Sequence, residues 1–201
     1  PFLRGAFGAV PLNSCLQTFS GLGALAPNTI LCGLPHKPDR FTPFLIHLNT
    51  IMRSNFNCII AVSEKDEIPE NGTIDIWWRG RKNGSLMLIL AYLMQNSANS
   101  QKLRIRLLRM TKNDNYAESM EEMSKLLTIA RIQAKILLID DEDNFDVALH
   151  KHSSEAAAIF IGFMPPQSNE DTNFITAKRE LLTDLPATFL VFSNGEADTS
   201  K

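Results

Sequence analysis

The sequence predicts an α/β protein with a mostly parallel sheet flanked by helices. Three observations predict it. Short runs rich in β-branched and aromatic residues recur along the chain, helical patterns separate most of them, and several runs are apolar almost without interruption. Unbroken apolar strands belong to sheets covered on both faces, and strands alternating with amphipathic helices imply βαβ units with right-handed crossovers. A length of 201 residues, 44% hydrophobic and 21% charged, is enough to bury a sizeable core.

The first element is a short helix over residues 13–19. It is followed by Gly21, Gly23 and Ala26, the GxGxxA spacing of a dinucleotide-binding loop. That loop works only where it follows a strand and opens a helix, because the free N–H groups of the helix N-terminus face the pyrophosphate. Here the order is helix, loop, strand, and the glycines read as a helix cap and tight turn. The strand is "NTILCGL", 28–34. The next segment, 39–54, places Phe41, Phe44, Leu45, Leu48, Ile51 and Met52 on one helical stripe, with Pro43 in the first turn.

Strands "FNCIIAV" (56–62) and "GTIDIWW" (72–78) come next. A basic turn, Arg79 to Lys82, leads into "SLMLILAYLMQN" (85–96), apolar nearly all round and therefore expected to be a deeply buried helix. The polar bridge 95–102 divides the chain into two similar α/β subdomains, 1–98 and 99–201, although one continuous sheet would read the same. Beyond it lie strand 102–110, a helix from Tyr116 to residue 133 and strand 134–140. That helix has its acidic residues early and Lys125 and Arg131 late, as the dipole favours. Strand 156–163, a helix over 172–185 stopped by Pro186, and strand 187–193 complete the chain.

Several chemistries are excluded or disfavoured. A net charge of -2 leaves no electrostatic footprint for nucleic acid. Cys15, Cys32 and Cys58 are odd in number and unevenly spaced, which argues for buried thiols in a reducing compartment and against a disulfide framework. The acidic run Asp140 to Asp146 fails as a calcium loop: counted from Asp141, the sixth and twelfth positions are Asp146 and His152, where glycine and glutamate are needed. It reads as a solvated loop. His150 and His152 would fall on different sides of a helix or on the same face of a strand and lack further metal ligands, and no serine-nucleophile, phosphate-loop or kinase motif occurs. No run reaches the roughly eighteen apolar residues of a membrane span. The N-terminus has neither Met nor a signal-peptide pattern, so the chain reads as a piece of a longer one.

One segment is more specific. "GTIDIWWRGRKNGSLMLILAYLM", 72–94, combines an aspartate inside a strand, adjacent tryptophans, a charged turn ending in glycine and an apolar helix. It resembles a segment in the cytosolic C-terminal domain of the cation-chloride cotransporters, where the pattern runs close to GxIDVWW, a polar turn with two glycines and a Leu-rich helix. Ser20, Gly21, Leu22, Gly23, Pro27, Asn28, Thr29 and Gly33 are similar to a second motif of that family. The likeness covers most of residues 15–140; beyond that only the alternation of elements matches. Asn83-Gly84 stands where the family often has two glycines, and the linkers are short, which suits a prokaryotic or archaeal member.

The resemblance implies a fold distantly like the universal stress protein. It also implies a non-enzymatic regulatory and dimerisation domain at the cytosolic face of the plasma membrane. The partners would be a second copy and the transporter's own transmembrane part, which carries chloride with sodium or potassium. No cofactor is required, although some cotransporters are thought to hold a nucleotide in this domain. The family-motif residues are Gly21, Gly23, Pro27, Asn28, Thr29, Asp75, Trp77 and Trp78. Asp75 is expected to bond a helix N-terminus or neighbouring backbone. Trp77 and Trp78 should point to opposite faces of the strand. Either both pack in the core, or one covers a subunit contact. Two other readings stay open: a free-standing nucleotide-binding protein of the stress-protein kind, and a small hydrolase using Asp140 or Asp141. The first lacks a late glycine-rich loop, since Gly162 is followed by Pro165 and Pro166.

Overall fold

Side chains that alternate along each strand divide the apolar residues between the two faces of one sheet. The computed structural model describes residues 3–4, 27–63, 68–97, 102–140, 144–166, 168 and 171–195. The strands are β1 (Leu3–Arg4), β2 (Thr29–Gly33), β3 (Asn57–Val62), β4 (Asn71–Trp77), β5 (Lys102–Thr111), β6 (Ala134–Asp140), β7 (Ala158–Gly162) and β8 (Thr188–Phe192). The helices are α1 (Phe41–Arg53), α2 (Arg81–Gln95), α3 (Tyr116–Ala130), α4 (Phe145–Ser153) and α5 (Asn173–Leu181). The expected helix over 13–19 and the Gly21 and Gly23 turn lie outside the described residues.

The eight strands form one sheet in the order β1-β2-β3-β8-β7-β4-β5-β6. All neighbours are parallel except β3 and β8. The sheet therefore consists of two parallel blocks, β1-β2-β3 and β8-β7-β4-β5-β6, which run in opposite directions and join at one antiparallel seam. The division at residue 98 falls between two strands of the same block. Strands β4 and β5, on either side of it, pair from Asn71↔Lys102 to Trp77↔Leu108, while β7 and β8 sit between β3 and β4. The change of direction falls earlier, between β3 and β4. Sequence could not locate it, because an apolar strand reads the same in either direction.

One face carries α1, α4 and α5, whose Leu45, Leu48, Leu149 and Ile175 pack with Trp77 and Leu190. The other carries α2 and α3, whose Met87, Ala91 and Met123 pack on Ile74, Ile76 and Ile105. Helix α1 buries Leu45, Leu48 and Ile51, the stripe its sequence predicts, and the chain leaves it through Asn55 in the left-handed region at φ 60°. Helix α4 was not expected. It is nine residues long and begins within the acidic run, at Phe145, where its polar surface resembles a loop. Nor is α2 buried all round: Ile89, Tyr92 and Leu93 are 36%, 45% and 51% exposed.

A polar clasp closes the seam at the end of β3. Asn57, 2% exposed, donates from Nδ2 to the Thr29 hydroxyl at 3.3 Å and accepts the Asn194 N–H at 2.9 Å. Its own N–H donates to the Asn28 carbonyl at 2.9 Å, and Asn194 reaches back to the Asn55 carbonyl at 2.6 Å. The motif residues Pro27, Asn28 and Thr29 thus sit where β2 enters the sheet beside β3. Replacing Asn57 with Ala leaves buried groups without partners and is expected to cost about 1–3 kcal/mol in urea denaturation. Faster hydrogen exchange at the Asn194 amide should accompany the loss.

Candidate functional site

Asp75 lies at the centre of β4 between Ile74 and Ile76, and its side chain is 0% exposed. A carboxylate in that position needs charge and hydrogen-bond partners. Arg106, directly opposite on β5, supplies both. Its Nε donates to one carboxylate oxygen at 2.7 Å and Nη2 donates to the other. Nη2 also donates to the His152 carbonyl at 2.8 Å, in the last turn of α4 where free carbonyls favour a cation. The Asp75 hydrogen bond holds the Arg106 guanidinium above its ordinary pKa, against the opposing effect of burial.

Ser153, fully buried at the end of α4, donates to Asp75 at 2.7 Å and accepts the Trp77 indole N–H at 3.1 Å. Trp77 then meets Phe145, the first residue of α4, edge to face at 5.2 Å. Both ends of α4 are therefore tied to β4. The expectation that Asp75 bonds a helix N-terminus or neighbouring backbone is corrected: it is held by a neighbouring strand's guanidinium and a serine hydroxyl.

Trp77 and Trp78 do point to opposite faces, in separate cores, and are 1% and 4% exposed. Both are used up in packing within the chain, so neither presents a surface to a partner. Trp78 also explains the glycine in the turn motif. A Cβ placed on Gly84, in the first turn of α2, would lie 2.1 Å from the Trp78 ring.

Strand order reverses at β4, which has β5 on one side and β7 on the other. Open α/β sheets bind ligands in the crevice beyond the strand ends at such a point. Asn83 spans it here, donating to the Phe163 carbonyl at 3.2 Å and accepting the Ser193 N–H at 2.9 Å. Arg79 and Lys82 lie over the rings of Phe145 and Phe192 at 5.0 and 5.3 Å. Burial pushes the Lys178 amine down, helped by nearby Arg79 and opposed by Asp146.

The other sequence candidates are dispersed. Asp140 ends β6, the edge strand two places from β4, and Asp141 lies outside the described residues. The His150 ring sits between the carbonyls of Asp146 and Thr183 at 2.9 and 3.1 Å. Among the described residues no group of three His, Cys, Asp or Glu side chains is placed to hold a metal. Cys32 and Cys58 are free thiols on neighbouring strands, and a hydrogen bond with Cys32, then burial, raises the Cys58 pKa.

A sequence profile of solute carrier family 12 matches residues 44–183, more than half of the chain. The chain belongs to solute carrier family 12. It is 33% identical over 132 residues to potassium/chloride cotransporter 3 of Caenorhabditis elegans, covering 60% of this chain and 12% of the relative. It is 29% identical over 185 residues to cation-chloride cotransporter 1 of Oryza sativa subsp. japonica, covering 86% and 17%. The chain thus spans a small part of these relatives' length. The crystal structure of the cytoplasmic domain of a prokaryotic cation chloride cotransporter has the same fold. It superposes with a TM-score of 0.69 at 17% identity, covering 94% of this chain and 73% of that one. A universal stress protein from Archaeoglobus fulgidus DSM 4304 shares the fold more distantly, at TM-score 0.56 and 12% identity, covering 92% and 66%.

In this solute carrier family 12 member, the Asp75 and tryptophan motif fixes the meeting of β4, β5, α2 and α4. Arg106, Ser153 and Asn83 complete it; the sequence singles out neither Arg106 nor Ser153, and Asn83 only as a departure from the family pattern. The one available signal was the alternation of Arg104 and Arg106 with apolar residues in β5, which marks cations on one face of a covered strand.

Asp75→Ala is expected to cost about 3 kcal/mol by leaving Arg106 uncompensated. The double variant Asp75→Val with Arg106→Leu should recover much of that in a denaturation cycle. Gly84→Ala should destabilise by about 1–3 kcal/mol through collision with Trp78, reversing the usual preference for alanine in helices. A chemical-denaturation midpoint at or above that of the unsubstituted chain would contradict the close packing.

Proposed function

We propose that the chain is the cytosolic regulatory and dimerisation domain of a cation-chloride cotransporter. The observation that carries this reading is the family match, which runs from α1 to beyond α5. Curated relatives named as potassium/chloride and cation-chloride cotransporters support it. The shared fold with a prokaryotic cotransporter's cytoplasmic domain favours the cytosolic face of the membrane. No helix among the described residues is long and apolar enough to cross a membrane. Ion permeation is therefore assigned to another part of such a transporter. The domain's role is then indirect and non-enzymatic, and it acts through contacts whose free energy differs between transport states.

Support for dimerisation comes from α2. Ile89, Tyr92 and Leu93 follow an i, i+3, i+4 spacing, which makes one exposed apolar stripe on a helix whose other side is core. A stable interface needs about 800 Å² per subunit, so the stripe would form its centre.

The 201-residue chain is expected to self-associate in light scattering, and Leu93→Glu should shift it toward monomer without changing its thermal unfolding. A strictly monomeric species at high micromolar concentration overturns the dimerisation reading. In the complete transporter, the same substitution should alter chloride-coupled cation flux at equal surface expression. Unchanged flux overturns the regulatory role of this contact.

A further inference from the structure

A cavity of about 890 Å³ opens at the end of the sheet opposite the Asn83 crevice. It lies beyond the carboxyl ends of the parallel strands β2 and β3, between the loop that leaves β2, helix α1 and the end of α5. Its volume is within the range of small-molecule sites, roughly 300–1,000 Å³. The loop after β2, "LPHKPDR", supplies His36, Lys37 and Arg40; α1 adds His47 and α5 adds Arg179. Among the described residues no Asp or Glu lines the cavity. Of the carboxylates near it in sequence, Asp39, Glu180 and Asp184 are exposed and outside it, while Glu64, Asp66 and Glu67, which follow the lining residue Ser63, lie outside the described residues.

This concentration of one sign of charge is local, because the chain as a whole carries a net charge of -2. The described ion pairs are Asp75 with Arg106, Arg109 with Glu122 and Lys125 with Glu121. None uses Lys37, Arg40 or Arg179. Arg179 is half-buried, and its Nε donates to the Pro35 carbonyl at 3.0 Å, which fixes the guanidinium against the loop. Among the described residues its terminal N–H groups have no protein acceptor. A guanidinium so held matches the planar, forked recognition of an oxyanion.

The floor is apolar. Leu34, Leu48, Ile51, Leu182 and Leu185 line it and are buried. A bare inorganic anion would leave that floor against water, whereas a neutral apolar molecule would leave the cations without a partner. The geometry points to a binding site for a small amphipathic phosphate, with the phosphate among Lys37, Arg40 and Arg179 and an apolar body on the leucine floor. Three cations, of which Arg179 is held against the loop, favour a phosphate dianion over a singly charged carboxylate. The site is independent of the assembly role proposed above and lies away from the α2 stripe, on the other face of the sheet.

Calorimetric titration of the 201-residue chain with phenyl phosphate is expected to show saturable binding, weaker for inorganic phosphate and absent for benzyl alcohol. Arg179→Gln should weaken it about tenfold or more, the usual effect of losing one charged hydrogen bond. That substitution also removes the bond to Pro35, so the exposed pair Lys37→Gln with Arg40→Gln serves as the second variant and should weaken binding comparably with unfolding unchanged. Co-sedimentation with phosphatidylcholine vesicles containing phosphatidic acid distinguishes the source. Vesicle binding weakened by the same variants and competed by phenyl phosphate assigns the phosphate to a lipid headgroup; its absence beside phenyl phosphate binding assigns it to a soluble ester. No saturable binding of either probe, or binding indifferent to both variants, overturns the site.

Discussion

The burial of one carboxylate constrains much of the molecule. Asp75 has no access to water, and a lone charge there would cost several kcal/mol. Arg106 can neutralise it only when β4 and β5 pair in the observed register, since a slip by one residue would turn the guanidinium to the other face. Ser153 and the His152 carbonyl then take up hydrogen-bonding capacity that remains, which places the end of α4. The start of α4 is placed by Phe145 against Trp77. Replacing such a pair by apolar side chains often leaves stability unchanged or improved, so its contribution lies in specifying one register and one helix position.

The antiparallel seam has a comparable effect at the level of the sheet. Because the two blocks run in opposite directions, their carboxyl strand ends emerge at opposite ends of the molecule. At one end the chain's own Asn83 and aromatic residues occupy the crevice where α/β proteins commonly hold a ligand. At the other end, beyond β2 and β3, an open cavity is lined by cations and leucines. The Asn57 clasp joins the blocks at the strand ends remote from that cavity. A fold shared with universal stress proteins can therefore place accessible space at a sheet end different from its switch point. Fold likeness alone would not have located it.

The apolar stripe of α2 and the tryptophan pair divide two roles that the sequence places side by side. Trp77 and Trp78 are large aromatics next to a basic turn, a composition common at interfaces, yet both complete cores. The exposed surface is instead offered by Ile89, Tyr92 and Leu93, farther along the same motif. A helix apolar nearly all round carries no information about which side faces the sheet. The tertiary packing over β4, β5, β7 and β8 supplies it.

Seven strands were legible in the sequence because a covered strand must be apolar and short, and that signature survives without knowledge of its neighbours. So were α1 and α3, whose stripes or charge distribution mark a helix with one buried face and an oriented dipole. The family resemblance was legible at 72–94 because Asp75, the tryptophans and Gly84 meet local needs within one strand, turn and helix. Helix α4 was not, since its nine residues bury little beyond Ala148, Leu149 and Ser153 and its stability comes from docking. Strand order, the antiparallel seam, the Arg106 partner and the cationic cavity joining Lys37 to Arg179 were decided only in three dimensions. Each depends on segments far apart in sequence, and local periodicity records which face of an element is buried but not against what.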